Sequence, residues 1–469
     1  MKIAYMHFHL KTGGVTTVIR QQVEAMQGAA ETLVLSGALP ENDFPGPVTA
    51  VPGIGYDTDN DHRTTPAETA AGVIQAINSH WPEGCDVLHV HNPTLAKNKN
   101  YLKILEILKD KGIRLFLQIH DFAEDGRPGV YFHEDYVADC HYGVINSRDY
   151  AILINSGLTS KGLHLISNMV TPLPISDDPD ATGDHILYPI RAIRRKNIGE
   201  AILLSIFFTD RKPLFITQPP NSPADFPAYE SWKQFVAHRG LNVEFDVGQR
   251  YNFVTLVQDA EYLLTTSISE GFGFTFMEPW TAGKRVWGRD LPGITDDFKT
   301  AGLFLDHLYT KVRVPLEWTA AGDFQASWRT TVRSSMQAFR IKKSDQAIQA
   351  GFERLTADGT VDFGVLNERH QQAVLAAVIE SAENKRLIAE LNPFLADCGR
   401  ATCTNEQTKH NRKLVLKHYS QAAYRRTLEK LYALINTVEP VQAIDKELLL
   451  DNFFNFNNFS LLKWGLHDS

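Results

Sequence analysis

Short apolar runs alternate with amphipathic segments along the first 170 residues of the chain. The apolar runs have the length of buried strands, and the segments between them repeat with the 3.6-residue period of helices. Such alternation predicts βαβ units on a parallel sheet. The predicted strands cover 2–8, 31–37, 86–91, 113–121, 143–147 and 163–170, and the predicted helices cover 14–26, 65–81 and 100–112.

A second pattern of the same kind follows a stretch rich in Pro, Asp, Ser and Gly at 171–185, which is typical of an interdomain linker. Its strands are predicted at 185–192, 213–219, 242–248 and 261–267, with a helix at 198–208. Beyond about residue 320 the pattern is mostly helical. It includes a long amphipathic helix at 414–435 and an aromatic, Asn-rich tail at 448–466.

We therefore predict an α/β protein with two doubly wound, Rossmann-like parallel-sheet domains and a helical C-terminal extension. The predicted ranges are 1–172 for the N-terminal domain, 173–185 for the linker, 186–412 for the C-terminal domain, and 413–469 for helices and a tail that cross back to the N-terminal domain. Two such domains should face a cleft, with ligands bound beyond the carboxyl ends of the strands. The tail is too apolar to be solvated, so we expect it to dock on the body of the protein or to form an oligomer with a second copy.

The composition is that of a soluble globular protein, since 43% of the 469 residues are hydrophobic and 22% are charged. The net charge of −8 gives no reason to expect a nucleic-acid partner. No apolar run approaches the length of a transmembrane segment, and the first strand lacks the features of a signal peptide. Four cysteines in so long a chain suit a reducing compartment, so we expect a cytoplasmic protein.

Cys398 and Cys403 stand five positions apart, with His410 beyond them. A zinc site needs at least three protein ligands. We interpret the two cysteines as structural, with a metal site as the weaker alternative.

The sequence SISEGFGFTFMEPWTAGK at 267–284 follows a predicted strand and leads into a helix. Glu270 and Glu278 stand eight positions apart, and a pair of carboxylates is what glycosidases use. The glycines at 271 and 273 favour a different reading, because they allow positive φ and close approach of a ligand. Backbone N–H groups at the helix start, near 274 and 275, could then bind phosphate oxygens.

Glu278 also has a purely structural interpretation. Thr275 and Glu278 have the spacing of a capping box, in which the glutamate only satisfies backbone donors. Pro279 weakens this interpretation, because proline has no N–H to bond back to the cap. A carboxylate next to a bound phosphate is better suited to accept hydrogen bonds from the hydroxyls of a ribose.

The sequence YPIRAIRRKNIGEAI at 188–202 places Arg191 at a strand end and Lys196 just before a helix. A guanidinium fork and a mobile ammonium together suit a diphosphate. The alternative is a solvated basic loop, which is the commoner fate of such clusters.

The N-terminal domain offers weaker candidates. Gly13 and Gly14 lie between the first strand and its helix, where they form either a tight turn or a close backbone approach to a ligand. No G-x-G-x-x-G fingerprint is present, so a dehydrogenase is disfavoured. His91 and His120 end two strands, and Asp121 follows directly. A lone histidine is usually structural, but two at equivalent positions in one domain favour a site.

Taken together, these segments resemble the retaining family 4 glycosyltransferases, which have the two-domain GT-B fold. SEGFGFTFMEPWTAGK is similar to the family's E-x7-E segment, and IRAIRRK has its Arg–Lys spacing. TGGVTTVIRQQVEAM, DVLHVHNP and QIHD resemble its early glycine turn and its two histidine-bearing strand ends. The chain departs from the family pattern at Ile190, Pro279, Arg285 and Trp287.

The resemblance implies retaining transfer of a hexosyl group from a nucleotide-diphosphate sugar of the UDP, GDP or ADP type to a small-molecule or oligosaccharide acceptor, without metal or other cofactor. It assigns the acceptor to the N-terminal domain and the donor to the C-terminal domain. Glu278 would hold the ribose, and Arg191 and Lys196 the leaving diphosphate. Glu270 would bind the donor sugar, and His120 would lie against the reacting sugar. Further implied donor contacts are Gly14, Gly271, Phe272, Gly273, Phe274 and Thr275, and the acceptor-side candidates are His91 and Asp121.

Two alternatives stay open. A sugar phosphorylase of the same fold would use a sugar 1-phosphate and would leave Glu278 without a ribose to bind. A non-catalytic module would bind a nucleotide-sugar without turning it over, although it would then have little need of Arg191, Lys196 and both glutamates together.

Overall fold

A computed structural model describes residues 1–58, 64–174, 183–208, 212–398 and 403–465 of the chain. The strands are β1 Lys2–His7, β2 Glu31–Ser36, β3 Val48–Ala50, β4 Val87–His91, β5 Leu115–Gln118, β6 His141–Val144, β7 Leu163–Leu165, β8 His185–Arg191, β9 Leu214–Gln218, β10 Val243–Glu244, β11 Ala260–Thr265, β12 Val286–Gly288, β13 Arg313–Pro315 and β14 Thr360–Asp362. The helices are α1 Gly14–Met26, α2 Pro66–His80, α3 Tyr101–Asp110, α4 Ser147–Asn155, α5 Ile198–Ser205, α6 Phe226–Arg239, α7 Val247–Arg250, α8 Phe253–Gln258, α9 Glu278–Thr281, α10 Pro292–Thr300, α11 Ala321–Phe339, α12 Asp345–Leu355, α13 Glu368–Glu380, α14 Ala382–Leu391, α15 Asn405–His418, α16 Gln421–Ile435, α17 Lys446–Phe453 and α18 Leu461–Trp464.

The chain divides into two compact units. Unit 1 consists of Met1–Val170 and Lys417–Phe454, and unit 2 consists of Thr171–Leu416 and Asn455–Ser469. The predicted linker at 173–185 lies largely outside the described residues.

Unit 1 is built on a seven-stranded parallel sheet with the order β3-β2-β1-β4-β5-β6-β7. Successive residues of a strand point to opposite faces, and β1 illustrates this. Ala4 and Met6 belong to a core cluster formed with α2, α3 and α4, whereas Ile3 and Tyr5 belong to a second cluster formed with α1 and α16. The sheet is therefore covered by helices on both faces, which is the doubly wound arrangement.

Unit 2 contains a five-stranded parallel sheet with the order β10-β9-β8-β11-β12 and a separate antiparallel pair, β13 and β14. The predicted strand at 242–248 is shorter than expected, because only Val243 and Glu244 pair with β9. Asp246 adopts a left-handed conformation with φ of 61°, which ends the extended segment and opens α7. Two parallel-sheet units are thus present, as the fold-class prediction required.

The predicted long helix at 414–435 is wrong, because the chain breaks into α15 and α16 around Tyr419 and Ser420. The hydroxyl of Ser420 accepts a hydrogen bond from Ala423 N and caps α16. α16 then packs on α1, where the hydroxyl of Tyr424 accepts a hydrogen bond of 2.8 Å from Gln22.

The aromatic tail docks on the body of the protein in two places. α17 packs in unit 1, where Leu449 and Phe453 join the core cluster that contains α2 and α3. Beyond Phe454 the chain returns to unit 2, where Trp328 Nε1 donates a hydrogen bond of 3.2 Å to Phe459 O. Within the described residues, none of the helices is both long and apolar enough to cross a membrane.

Candidate functional site

The E-x7-E segment leaves the carboxyl end of β11 and turns at Gly273, which has φ of 87°. A side chain at Gly273 would be strained by this φ, and its Cβ would lie 2.9 Å from Ile294 Cγ2. One turn of 3-10 helix at Phe274–Phe276 follows, and α9 then begins at Glu278. Glycine is therefore required here both by the backbone conformation and by the close packing of Ile294.

The capping box considered for Thr275 and Glu278 does not form. Glu278 is the first residue of α9, Met277 precedes it without any side-chain cap, and Pro279 occupies the second position. The hydroxyl oxygen of Thr275 is buried and has no hydrogen-bond partner among the described residues. Two polar side chains thus face this turn without serving the local backbone.

The carboxylate of Glu278 is largely buried, and no described residue forms a hydrogen bond or an ion pair with it. Burial raises its pKa from 4.5 to about 7, because a charge is poorly solvated there. An isolated buried carboxyl of this kind is costly to keep, and hydroxyl donors from a ligand would satisfy it.

Lys196 and Glu270 form a largely buried ion pair, with Nζ and Oε1 2.5 Å apart and side chains 14% and 9% exposed. Burial acts to raise the pKa of Glu270, but the charges of Lys196 and Arg195 outweigh it and hold this pKa below its usual range. The structure therefore brings together two of the predicted site residues, which come from different loops of unit 2.

The loop that carries Lys196 is fixed by three hydrogen bonds, one from β8 and two from the residue that follows β11. Tyr188 OH donates to Lys196 O at 2.5 Å, and Thr266 Oγ1 contacts Lys196 O and Asn197 O at 3.1 and 3.0 Å. Arg191, at the end of β8, is instead exposed, and no hydrogen bond or ion pair joins its side chain to another described residue. The guanidinium is therefore available to a ligand.

A buried network that the sequence analysis did not identify lies behind these loops. The Arg289 guanidinium makes bidentate contacts with Glu200, at 2.8 and 2.5 Å, and with Asp362, at 2.8 Å each. Tyr309 OH donates to Glu200 Oε1 at 2.7 Å. Because α5 carries Glu200 and begins two residues after Lys196, the network fixes the helix that follows the cationic loop. The only feature of the sequence that pointed to this network was an arginine, Arg289, directly after a strand.

In unit 1, a hydrogen bond joins His91 Nδ1 to His120 Nε2, which are 2.9 Å apart. Asn92, with φ of 51°, accepts hydrogen bonds from the backbone N–H groups of His120 at 2.7 Å and Asp121 at 3.2 Å. Burial lowers the pKa of His120 to about 4, with Asp121 acting weakly in the opposite direction, and burial holds the pKa of His91 well below its usual range. Both imidazoles are therefore neutral near pH 7.

Gly14 is the first residue of α1, and Gly13 precedes it with an extended backbone at φ of 175°. Neither glycine adopts a left-handed conformation. Apart from its chain neighbours and the backbone of α1, no atom of the described residues lies within 4 Å of the place where a Cβ of Gly14 would stand. The chain passes from β1 to α1 without a left-handed glycine at these two positions, and the backbone at Gly14 is open to approach.

Cys398 and Cys403 are both buried free thiols. The Sγ of Cys398 contacts Leu204 O at 3.6 Å, and the Sγ of Cys403 contacts Thr408 Oγ1 at 3.8 Å. Across the described ranges, no group of three or more His, Cys, Asp or Glu residues could hold a metal ion.

Comparison with known proteins supports the architecture. No protein-family model matches the chain. The structure is similar to that of a glycosyltransferase from Rickettsia africae, with a TM-score of 0.52, 11% identity, and coverage of 93% of this chain and 98% of the other. It is also similar to Anabaena HepE in complex with UDP, with a TM-score of 0.54, 12% identity, and coverage of 92% and 100%. The chain has the GT-B fold. At identities this low, the similarity to either protein shows a shared fold and nothing about substrate or activity.

A sequence relative exists among curated proteins. The GT-B chain is 26% identical over 333 residues to the mannosylglucosyl-3-phosphoglycerate synthase of Petrotoga mobilis. The matched region covers 62% of this chain and 65% of that protein, which is slightly less than two thirds of its length.

Proposed function

We propose that the protein is a retaining glycosyltransferase that moves a hexosyl group from a nucleotide-diphosphate sugar to an acceptor hydroxyl. The observation that carries the proposal is Glu278, a largely buried carboxylate without a partner among the described residues, which follows the turn at Gly273. The GT-B fold shared with a protein that binds UDP supports a nucleotide donor. The curated relative, named as a synthase of a product with two sugars, supports sugar transfer.

In this proposal unit 2 binds the donor. Glu278 accepts hydrogen bonds from the ribose hydroxyls, and the backbone N–H groups of Phe274 and Thr275 contact the phosphates. Arg191 and Lys196 neutralise the charge that builds up on the leaving diphosphate, which would make a bound metal unnecessary. Glu270, held by Lys196, bonds the hydroxyls of the donor sugar, while Gly271, Phe272 and Gly273 shape the turn.

Transfer with retention then needs no protein nucleophile. The acceptor hydroxyl attacks the anomeric carbon from the face that the diphosphate leaves, and its proton passes to the departing phosphate oxygen. In unit 1, His120 is assigned to the reacting sugar, where a neutral imidazole fixed by His91 can exchange hydrogen bonds with hydroxyls. Gly14 and Asp121 complete the proposed set.

Thermal unfolding in the presence of UDP, GDP and ADP tests the donor class. One nucleotide should raise the Tm, because a ligand that binds only the folded state stabilises it. Glu278→Gln should weaken that shift. Stabilisation by a sugar 1-phosphate and by none of the nucleotides would replace the proposal with a phosphorylase.

Turnover tests the catalytic assignment. Arg191→Ala should lower turnover by roughly 100-fold, the usual cost of removing a group that stabilises developing charge. Arg313→Ala is the matched control, since the side chain of this exposed arginine of the same unit contacts, among the described residues, Thr360 on β14 and Asp358 just before it. Nucleotide binding without any turnover in the wild type would favour the non-catalytic module.

A further inference from the structure

Lys97 is a half-buried lysine without a neutralising partner. It follows β4 in unit 1, and its Nζ lies 5.4 Å from the centroid of the Tyr56 ring. No described residue forms a hydrogen bond or an ion pair with its ammonium group. The nearby Asp57 carboxylate instead accepts a hydrogen bond of 3.2 Å from the backbone N–H of Lys99. A partly desolvated cation that lacks an anion is costly to keep.

A second cation lies on the adjacent segment. The backbone N–H of Ala96 donates to Val130 O at 2.8 Å, which pairs the loop of Lys97 with the loop of Arg127. Burial lowers the pKa of Lys97, and the charge of Arg127 lowers it further. The Arg127 guanidinium has Asp121 as a carboxylate partner, but at 3.6 Å this contact is too long for a hydrogen bond. Two cations therefore lie on paired loops, and neither of them forms a hydrogen bond with a carboxylate of a described residue.

The topology of the sheet puts both cations at the edge where ligands bind. The strand order reverses at β1, which has β2 on one side and β4 on the other. Open α/β sheets bind ligands at the carboxyl ends of the strands beside such a reversal. Lys97 follows β4 and Arg127 follows β5, on the same edge as His91 and His120. The cations thus stand beside the residues assigned to the reacting sugar.

We propose that Lys97 and Arg127 form an anion subsite for the sugar acceptor, which is therefore a small hydroxyl compound carrying a carboxylate or a phosphate. The inference rests on the proposed transferase function and adds the class of acceptor to it. The half-buried position of Lys97 suits a single anionic group that reaches inward. Displacing water from this ammonium with an anion gives a charge-assisted contact, and a neutral acceptor would leave the cation unsatisfied.

The test compares glycerate and 3-phosphoglycerate with glycerol as ligands of the full-length protein, in thermal unfolding with the stabilising nucleotide at saturation. At saturation the nucleotide occupies Arg191 and Lys196, so the anions cannot bind there. Both anions should stabilise the wild type, and glycerol should not. Lys97→Gln and Arg127→Gln should each weaken anion binding by roughly 10- to 100-fold, as expected for a hydrogen bond to a charged group. Lys111→Gln, an exposed lysine at the other end of α3, should have no effect.

The outcomes separate this inference from the function on which it rests. Equal stabilisation by glycerol, or anion binding unchanged in both variants, overturns the subsite while nucleotide binding still stands. Anion binding that disappears only in Arg191→Gln places the anion at the diphosphate cations and also overturns it. If no nucleotide binds, the proposed function fails, and anion binding measured without nucleotide then decides the subsite alone. Each variant is first checked for a Tm no lower than that of the wild type and for an unaltered nucleotide response, so that misfolding is recognised.

Discussion

Lys196 Nζ lies 2.5 Å from Glu270 Oε1, in a pair whose side chains are 14% and 9% exposed. The two residues come from different loops, one after β8 and the other after β11. Their pairing sets the position of two groups assigned to the donor and keeps the glutamate ionised. It also makes the free protein depend on the pair for stability.

Removal of the lysine should therefore destabilise the free protein. Lys196→Met removes the ammonium group that pairs with the buried Glu270 carboxylate, which costs about 3 kcal/mol in the free energy of unfolding. The double variant Lys196→Met with Glu270→Gln should recover part of that loss. Lys212→Met is the control, because its pair with Glu261 is 24% exposed on each side and should contribute about 1 kcal/mol or less. Urea denaturation measures all four proteins, and equal losses in both lysine variants would contradict the prediction.

Glu278 should make stability depend on pH. Its pKa is about 7 in the folded protein, against an ordinary value of 4.5. Between these values the folded protein still binds the proton and the unfolded chain does not, so stability falls as pH rises from 4.5 to 7. The loss relative to Glu278→Gln should be about 3 kcal/mol. Chemical denaturation at several pH values gives the free energy of unfolding of both proteins. Plotted against pH, the two free energies should converge or cross, and parallel plots would refute the raised pKa.

Nucleotide binding should release a proton near neutral pH. Ribose hydroxyls that donate to the carboxylate favour its ionised form and so lower the pKa of Glu278. The Glu278 carboxyl of the free protein is about half protonated at pH 7, so nucleotide binding releases part of a proton. The affinity for the nucleotide should therefore rise as pH increases from 6 to 8. Calorimetry in buffers with different ionisation enthalpies measures the release. Glu278→Gln should bind more weakly and release none from this site.

The Arg289 network should be the most sensitive point in unit 2. Arg289→Met leaves the Glu200 and Asp362 carboxylates buried without their shared cation, at a cost of about 4 kcal/mol in the free energy of unfolding. Arg285→Met, at the opposite end of β12, is the control, because its contact to Asn405 is exposed and its loss should stay within about 0.5 kcal/mol. Chemical denaturation compares the two, and a similar small loss in both would show that the network is dispensable.

The sequence predicted the elements whose patterns are local. The range 14–26 for α1 agrees with the structure, since a long amphipathic period starts directly after two glycines. β3 was missed, because its three residues are too few to show a pattern. The break at Ser420 was missed for a different reason: both flanking helices are amphipathic, so their periodicity continues across the interruption, and only the side-chain cap marks it.

In the candidate site too, features within one short segment could be predicted, and features that depend on distant residues could not. The glycine turn and the two glutamates are visible in one short segment, so spacing could identify them. The isolation of Glu278 could not be predicted, because it depends on which side chains fail to reach the carboxylate. Lys97 and Arg127 lie thirty positions apart, and the pairing of their two loops brings the two charges close enough to interact. Arg289 likewise joins partners 89 and 73 positions away.

The return of the chain to unit 1 at Lys417 and its second departure after Phe454 affect how the protein is made. Unit 1 is the first to leave the ribosome, but α16 contributes Leu428 and Tyr432 to its core, and α17 contributes Leu449. The part of this sheet face that α16 covers, beside α1, therefore stays exposed until α16 has been synthesised. Each unit is built from two separate stretches of the chain, so neither corresponds to one unbroken gene segment.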